Sequence, residues 1–400
     1  MQNQSARLAF AFSSLGHFYI HMFQAYYAIV VLTLEKTWNQ PYEDLLRLWV
    51  VGAIMIGLGA VPAGRLADLW GARIMMLVYF IGLGGTAIAC GLVGGPTAMM
   101  VGLAMLGLFL SIYHPVGIPW LIRNAESGVG KQLAVNGLFG SFGTAAAGIV
   151  AGNLVAWFGW RMAYVIPGIV CLLTGLAMLF FVVTGRISAT DSNVRQEKPR
   201  ARGDVIRVML ILIAAVFVGG IVYNTLQTAL PKVFQQRLSD MFGDGPQAAG
   251  NLFALVFALG GVIQLVGGHL ADRFPLKLVY LACWVGQTVM MLAIAFAFDL
   301  SVVAFAALSV MINVAGIPAE AMMLYRFTPE KHRGLVFGVK FVLSFLAGPV
   351  AIMLISLTRE ATGEFVWLFA GIAVATGLVA LLLLALPAAE APRSSEMPAE

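Results

Sequence analysis

Gly64-Arg65-Leu66-Ala67-Asp68-Leu69-Trp70-Gly71-Ala72-Arg73 closes one apolar run, and Gly268-His269-Leu270-Ala271-Asp272-Arg273-Phe274-Pro275-Leu276-Lys277 closes another. The shared Gly-x-Leu-Ala-Asp core recurs at an offset of 204. Other pairs keep that register. Pro115 and Pro318, Arg123 and Arg326, Ser141-Phe142 and Ser344-Phe345, and Gln24 and Gln227 all stand 203 apart. Gly117-Ile118-Pro119 is echoed by Gly316-Ile317-Pro318. One such match could arise by chance, but an ordered set whose offset scarcely drifts marks an internal repeat. Two copies in the same orientation imply halves related by an axis along the membrane normal.

The composition says what the halves are made of. Of 400 residues 60% are hydrophobic and 11% charged, against about 25% charged in a soluble domain. Mean hydropathy is +0.90. A cytosolic globular enzyme, a disordered chain and a secreted disulfide scaffold are excluded. Apolar segments run at about 8–34, 47–66, 74–94, 97–122, 132–157, 162–184, 205–230, 248–270, 277–298, 300–325, 334–357 and 364–387. Each has about the 20 residues that a bilayer span takes. None alternates apolar with polar residues as barrel strands do. The first is too long for a signal-peptide core, and no small-residue cleavage site follows it. The fold class is therefore an all-α polytopic membrane protein with twelve transmembrane helices in two parallel six-helix repeats. Cys90, Cys171 and Cys283 are scattered through apolar runs and offer neither a disulfide framework nor metal-ligand spacing.

The basic residues give the orientation. With a cytoplasmic N-terminus, 17 of the 24 Lys and Arg fall on the cytoplasmic side and 6 on the other, and Lys340 lies within a segment. Both termini are expected in the cytoplasm, with the chain in a plasma membrane, the bacterial inner membrane. The polar stretch 185–207, which carries Pro199 and Gly203, divides the segments six and six. The expected domains are an N-terminal half at 1–184, a cytoplasmic linker at 185–207, a C-terminal half at 208–387 and a disordered tail at 388–400, rich in Ala, Pro and Glu.

The decapeptide from Gly64 to Arg73 resembles the signature between the second and third helices of the major facilitator superfamily, Gly-x-Leu-Ala-Asp-Arg-x-Gly-Arg-Arg/Lys, and Gly268–Lys277 is its second copy. With twelve helices and a central linker, the resemblance covers nearly the whole chain. Gly159-Trp160-Arg161 also resembles a segment common in that family. The resemblance implies two halves that rock around a central cavity, with Gly64, Asp68, Gly71, Arg73, Gly268, Asp272 and Arg273 in the gate. The glycines at 64 and 268 would allow close helix approach or an unusual backbone angle. The aspartates would cap a neighbouring helix or pair with Arg. The chain departs from the pattern at Leu69, Ala72 and Pro275. The fourth segment reads Leu103-Ala104-Met105-Leu106-Gly107, without the Arg of many drug–proton antiporters of the family. The fifth has glycines at 137, 140, 143, 148 and 152, but Thr144 stands where the antiporter signature has Pro.

Ionisable groups at bilayer depth are costly and mark function. His17, His21 and Gln24 form one stripe on the first segment, and Tyr26 and Tyr27 follow. Tyr113-His114-Pro115 lies in the fourth, with His114 at about the same depth and Pro115 expected to free a carbonyl and bend the helix. Asn224 and Gln227 lie in the seventh segment, Asn313 and Glu320 seven residues apart in the tenth, and Lys340 in the eleventh. The expected substrate-binding residues are His17, His21, Gln24, Tyr27, His114, Asn224, Gln227 and Asn313. Glu320 and Lys340 either form an ion pair, the arrangement that burial demands, or serve the coupling proton and an anionic substrate. The third, sixth and twelfth segments lack strongly polar side chains and suit the lipid face. No Asp, Glu or Cys joins the histidines on their segments, so no metal is expected, and no cofactor.

These features point to a secondary active transporter of a small organic solute. Its partners would be the lipid bilayer, the solute and coupling protons, with no nucleic acid, and it would act as a monomer. Proton-coupled efflux is the first reading, since the His-Phe and His-Pro dipeptides resemble exporters of the fosmidomycin-resistance type. Proton-coupled uptake of an organic anion and a non-transporting membrane sensor of transporter ancestry are the alternatives. An enzyme is not expected: neither a His-Glu-x-x-His helix nor a phosphate-binding loop is present.

Overall fold

The computed structural model describes residues 2–125, 128–187, 205–328 and 333–386. The helices in chain order are α1 (Gln2–Trp38), α2 (Tyr42–Trp70), α3 (Ala72–Leu92), α4 (Pro96–Leu110), α5 (Tyr113–Asn124), α6 (Val129–Val183), α7 (Val205–Phe242), α8 (Pro246–Arg273), α9 (Leu276–Phe296), α10 (Ser301–Phe327), α11 (Arg333–Thr362) and α12 (Val366–Leu384). No strand occurs among the described residues.

Two boundaries differ from the sequence reading, each for a backbone reason. Pro115 has no N–H for the carbonyl four residues back, and the chain turns at Ser111–Ile112 between α4 and α5. The two pieces together make one span, Pro96–Asn124. α6 is one unbroken run of 55 residues, which at 1.5 Å per residue is about 80 Å and far exceeds a hydrocarbon core. Its helical dihedrals fail at Gly159, with φ 81° and ψ 163°, a region that glycine enters without penalty. The run is therefore two spans meeting at the Gly159-Trp160-Arg161 bend. Eleven described helices are long and apolar enough to cross a membrane, and α6 divided at its bend makes twelve spans. Residues 188–204 of the expected linker at 185–207, and all of the expected tail at 388–400, lie outside the described residues.

The chain forms two compact units, Met1–Arg195 with Gln227–Ala258, and Gln196–Leu226 with Leu259–Glu400. In the first unit α1 is the most buried span. Glycines on α6 let it in: a Cβ at Gly143 would stand 2.2 Å from the Phe18 carbonyl oxygen. Gly148 and Gly250 face each other in the same way, a Cβ on either falling within 2.4 Å of the other's carbonyl oxygen. Buried tyrosines bind the spans together. Tyr26 donates to the Ala163 carbonyl at 2.6 Å, Tyr27 to Leu45 at 2.7 Å and Tyr79 to Gly16 at 2.8 Å. At the opposite end from Arg65 and Arg73, Lys232 meets Glu35 at 2.6 Å and Lys36 meets Asp244 at 2.7 Å. The hydrogen-bonded Lys36 ammonium holds the Asp244 carboxyl below the usual carboxylate range.

In the second unit α9 is the hub. Gln287 donates to Ser309 of α10 at 2.6 Å, and Thr288 and Thr376 of α12 share a hydrogen bond of 3.0 Å. The apolar core gathers Leu212, Trp284, Met323 and Leu383. The sixth span (Leu173, Phe180, Val183) and α12 (Leu378, Leu381, Leu384) expose apolar side chains, as spans facing lipid do.

Candidate functional site

Two polar clusters lie within the helices, one in each unit. The first is built on α1, α5 and α6. His17 points its Nδ1 at both acceptors of Asn136, the backbone oxygen and Oδ1, each at 2.8 Å. Two acceptors require a donor between them, so Nδ1 carries a proton, and in the neutral ring Nε2 is the acceptor. His21 Nε2 stands 3.2 Å from His17 Nε2. Tyr113 stacks on His17 with ring centroids 5.0 Å apart. His114 sets its ring edge-on to both partners, 5.5 Å from His17 and 5.7 Å from His21. Asn136 is held in turn: its Nδ2 donates to Tyr113 Oη at 3.0 Å and approaches Ser13 Oγ at 3.5 Å. Ser13 donates to the Gly117 carbonyl at 2.9 Å. A Cβ at Gly140 would lie 2.8 Å from His17 Nε2, so a glycine is what leaves the ring room.

The second cluster is smaller and charged. Lys340 Nζ lies 2.7 Å from Glu320 Oε1, with side chains 14% and 13% exposed. Tyr280 donates to the other carboxylate oxygen at 2.8 Å. Both oxygens of Glu320 are thus occupied, one by a cation and one by a phenol. The sequence left open whether Glu320 and Lys340 pair; they do.

The remaining expected residues are dispersed. Gln24 is half-buried one turn beyond His21. Tyr27 is fully buried, with its hydroxyl committed to Leu45, and stands about 9 Å along α1 from His21. Asn224 is half-buried and bonds its own helix at Gly220, 2.8 Å away. Gln227 is buried, and its Nε2 has no hydrogen-bond partner among the described residues. Asn313 reaches Gly219 only at 3.5 Å.

At the repeated loops the backbone constraint falls on neighbours of the two motif glycines. Gly64 would meet Pro115 at an ordinary 3.7 Å if it carried a Cβ, and Gly268 faces open space; neither has a positive φ. The close approach belongs instead to Gly267, whose Cβ would stand 2.5 Å from the Ala315 oxygen. The left-handed backbone belongs to Gly71, with φ 86°, which ends α2. Asp68, Asp272 and Arg273 are exposed. Arg73 donates to the Ile187 carbonyl at 3.2 Å, tying the start of α3 to the chain just past α6.

The sequence reading named neither Asn136 nor Tyr280. Asn136 had a signal, an amide within an apolar span rich in glycine and alanine, which is itself costly at that depth. Tyr280 had none, because a tyrosine in an apolar segment reads as packing.

The profile of the Major Facilitator Superfamily matches residues 13–243 and again 233–400. The chain belongs to the major facilitator superfamily. Among curated relatives, the nitrite extrusion protein of Bacillus subtilis is 24% identical over 321 residues, covering 79% of each chain. The 4-hydroxybenzoate transporter PcaK of Pseudomonas putida is 25% identical over 58% of this chain and 59% of its own. The tetracenomycin C resistance and export protein of Streptomyces glaucescens is 30% identical over 41% of this chain and 29% of its own. Among solved structures, a bacterial homologue of the human lysosomal transporter Spinster superposes with a TM-score of 0.72 at 13% identity, over 95% of both chains. That likeness is one of fold. Family and fold are those of multi-pass membrane transporters of small solutes, not of enzymes.

Proposed function

We propose that this facilitator is a proton-coupled exporter of a small organic solute. It would act as a monomer in a bacterial inner membrane with both termini in the cytoplasm. The N-terminal half (1–184) and C-terminal half (208–387), joined by the linker at 185–207, would alternate access to the solute. In this reading His17, His21, Gln24, His114, Asn224, Gln227 and Asn313 contact solute, and Tyr27 shapes the wall through its bond to Leu45. The repeated loops with Gly71, Arg73, Asp68, Asp272 and Arg273 gate the cytoplasmic side, and Gly64 and Gly268 leave room there for the helix ends to move.

The observation that carries the reading is the Tyr280–Glu320–Lys340 arrangement. A carboxylate inside a span is stable only while its charge is answered. Protonating Glu320 removes its attraction for Lys340, and restoring the pair expels the proton. Proton occupancy is thereby linked to whether α10 and α11 are bonded to each other. A proton gradient can drive a two-state change only through such differential binding. Export is favoured by relatives whose names record antibiotic resistance and export. A second reading, uptake of an organic anion, is favoured by the relative named for 4-hydroxybenzoate; in that case the anion competes with Glu320 for Lys340.

Purified protein in liposomes that hold a pH-sensitive dye tests this. Under an imposed proton gradient, antimicrobial compounds or aromatic acids should each be tried for solute-dependent proton movement, with Glu320→Gln run in parallel. Movement that Glu320→Gln abolishes is expected, and its sign separates export by antiport from uptake by symport. Solute flux with no proton movement in the wild type would remove proton coupling.

A further inference from the structure

The histidine cluster carries more than solute contact. One nitrogen from each of His17, His21 and His114 lies within 4.8 Å of the other two. The Nε2 atoms of His17 and His21 are 3.2 Å apart. Two imidazole nitrogens bound at 2.0–2.1 Å to one tetrahedral ion stand about 3.3 Å apart, so this pair already has the edge length of such a site. The orientation agrees. The Nδ1 proton of His17 is donated to a backbone carbonyl and a side-chain amide, the outer arrangement that fixes tautomer and ring direction in metal-bound histidine. Asn136, which accepts it, is itself held by Tyr113 and Ser13.

We propose that His17, His21 and His114 bind a divalent transition-metal ion. Three neutral imidazoles favour zinc, cobalt, nickel or copper over magnesium or calcium, which prefer oxygen. His17 would ligate through Nε2, with Asn136 as its positioning residue. Three protein ligands leave a fourth position open. No carboxylate belongs to the cluster, so the ion keeps its double charge, and an anionic donor on a transported solute fits that position. This deepens the reading of the cluster as the solute site and rests on it. The free ion and an ion carried by an organic chelator present the same chemistry to the three rings.

The test uses the full chain purified in detergent with any histidine tag removed. Cobalt(II) is titrated in and followed by the visible absorption of a tetrahedral site. One ion per chain, displaced by zinc, is expected. His21→Ala and His114→Ala should each weaken binding by more than the factor of about 10–100 expected for loss of an outer-shell group, here Asn136→Ala. His269→Ala, at an exposed histidine away from the cluster, should change nothing. An unaltered elution profile of each variant on size exclusion guards against misfolding. Absence of binding in the wild type, or equal binding in His21→Ala and His114→Ala, overturns the proposal. Binding needs no transport, so the two readings fail separately. Cobalt bound without solute flux removes the transport reading alone, and proton-linked flux without cobalt binding removes the metal site alone. In liposomes, ion flux with or without an added chelator tells the free ion from the chelate.

Discussion

The histidine cluster and the Glu320–Lys340 pair occupy duplicated scaffolds, yet hardly any of their chemistry is shared. At the repeat offset of 203, His17 corresponds to Gly220, His114 to Ile317, Asn136 to Val339, Glu320 to Gly117 and Lys340 to Gly137. Of the residues expected to bind solute, only His21 with Asn224, which differ, and Gln24 with Gln227, which are the same, stand at corresponding positions. One cluster is built of imidazoles stacked on a tyrosine ring and anchored by an amide; the other is an ion pair capped by a phenol. The repeat has kept the Gly-x-Leu-Ala-Asp loop, Pro115 with Pro318 and Arg123 with Arg326, and let the polar interior diverge. In the proposed function the histidines contact solute from the first copy and Glu320 handles the proton in the second, where Asn224, Gln227 and Asn313 complete the solute contacts.

The sharpest way to break that division is at the pair. Lys340→Met leaves a carboxylate unanswered inside a span and should cost about 3–5 kcal/mol, seen as a large fall in melting temperature in detergent. Adding Glu320→Gln should restore most of it while leaving gradient-driven transport absent. If the double variant stays as unstable as the single one, the pair is not what Lys340 answers. Next in size are the helix contacts. Gly143→Ala and Gly148→Ala drive a methyl into a carbonyl oxygen at 2.2 Å, and overpacking of this kind costs about 1–3 kcal/mol. An unchanged melting temperature would contradict the packing described for α6 against α1, at Gly143, and against α8, at Gly148. Asn136→Ala should act on the cluster rather than on the fold as a whole. It strips the side-chain acceptor of His17, leaving the backbone one, and should weaken solute binding by about tenfold, the worth of one hydrogen bond to a polar group, with stability less affected than in Gly143→Ala.

The smallest effect is expected at Lys36 and Asp244, whose side chains are 73% and 70% exposed. Exposed pairs contribute little. Because the Asp244 carboxyl is held low, any contribution is present above the ordinary carboxylate range and fades as pH falls through its folded value. Asp244→Asn should leave the melting temperature at pH 7 within error. Lys232 and Glu35, at 12% and 34% exposure, should matter more, and comparison of the two single variants checks that order.

Much of the fold was legible because its signals are local. Twelve apolar runs, the basic asymmetry and the Gly-x-Leu-Ala-Asp repeat each need only neighbours in sequence. Pro115 and Gly159 announced the bends that split one span and divided another. The polar interior was legible by depth but not by partner. His17, His21 and His114 could be set at one level from helix rise alone, whereas Asn136 enters from a helix more than a hundred residues away. The same limit misled at Gly64 and Gly268: a glycine in a motif does not say which of its neighbours has the close contact, and here Gly267 and Gly71 do.

One pair of assays bears most directly on the division between the clusters. Solute exchange at equal concentration on both sides of a liposome needs binding and rocking but no net proton movement, whereas gradient-driven accumulation needs both. Glu320→Gln is expected to retain exchange and lose accumulation, while His114→Ala loses both. Loss of exchange in Glu320→Gln as complete as in His114→Ala would contradict that division, and would make the two clusters parts of one solute site.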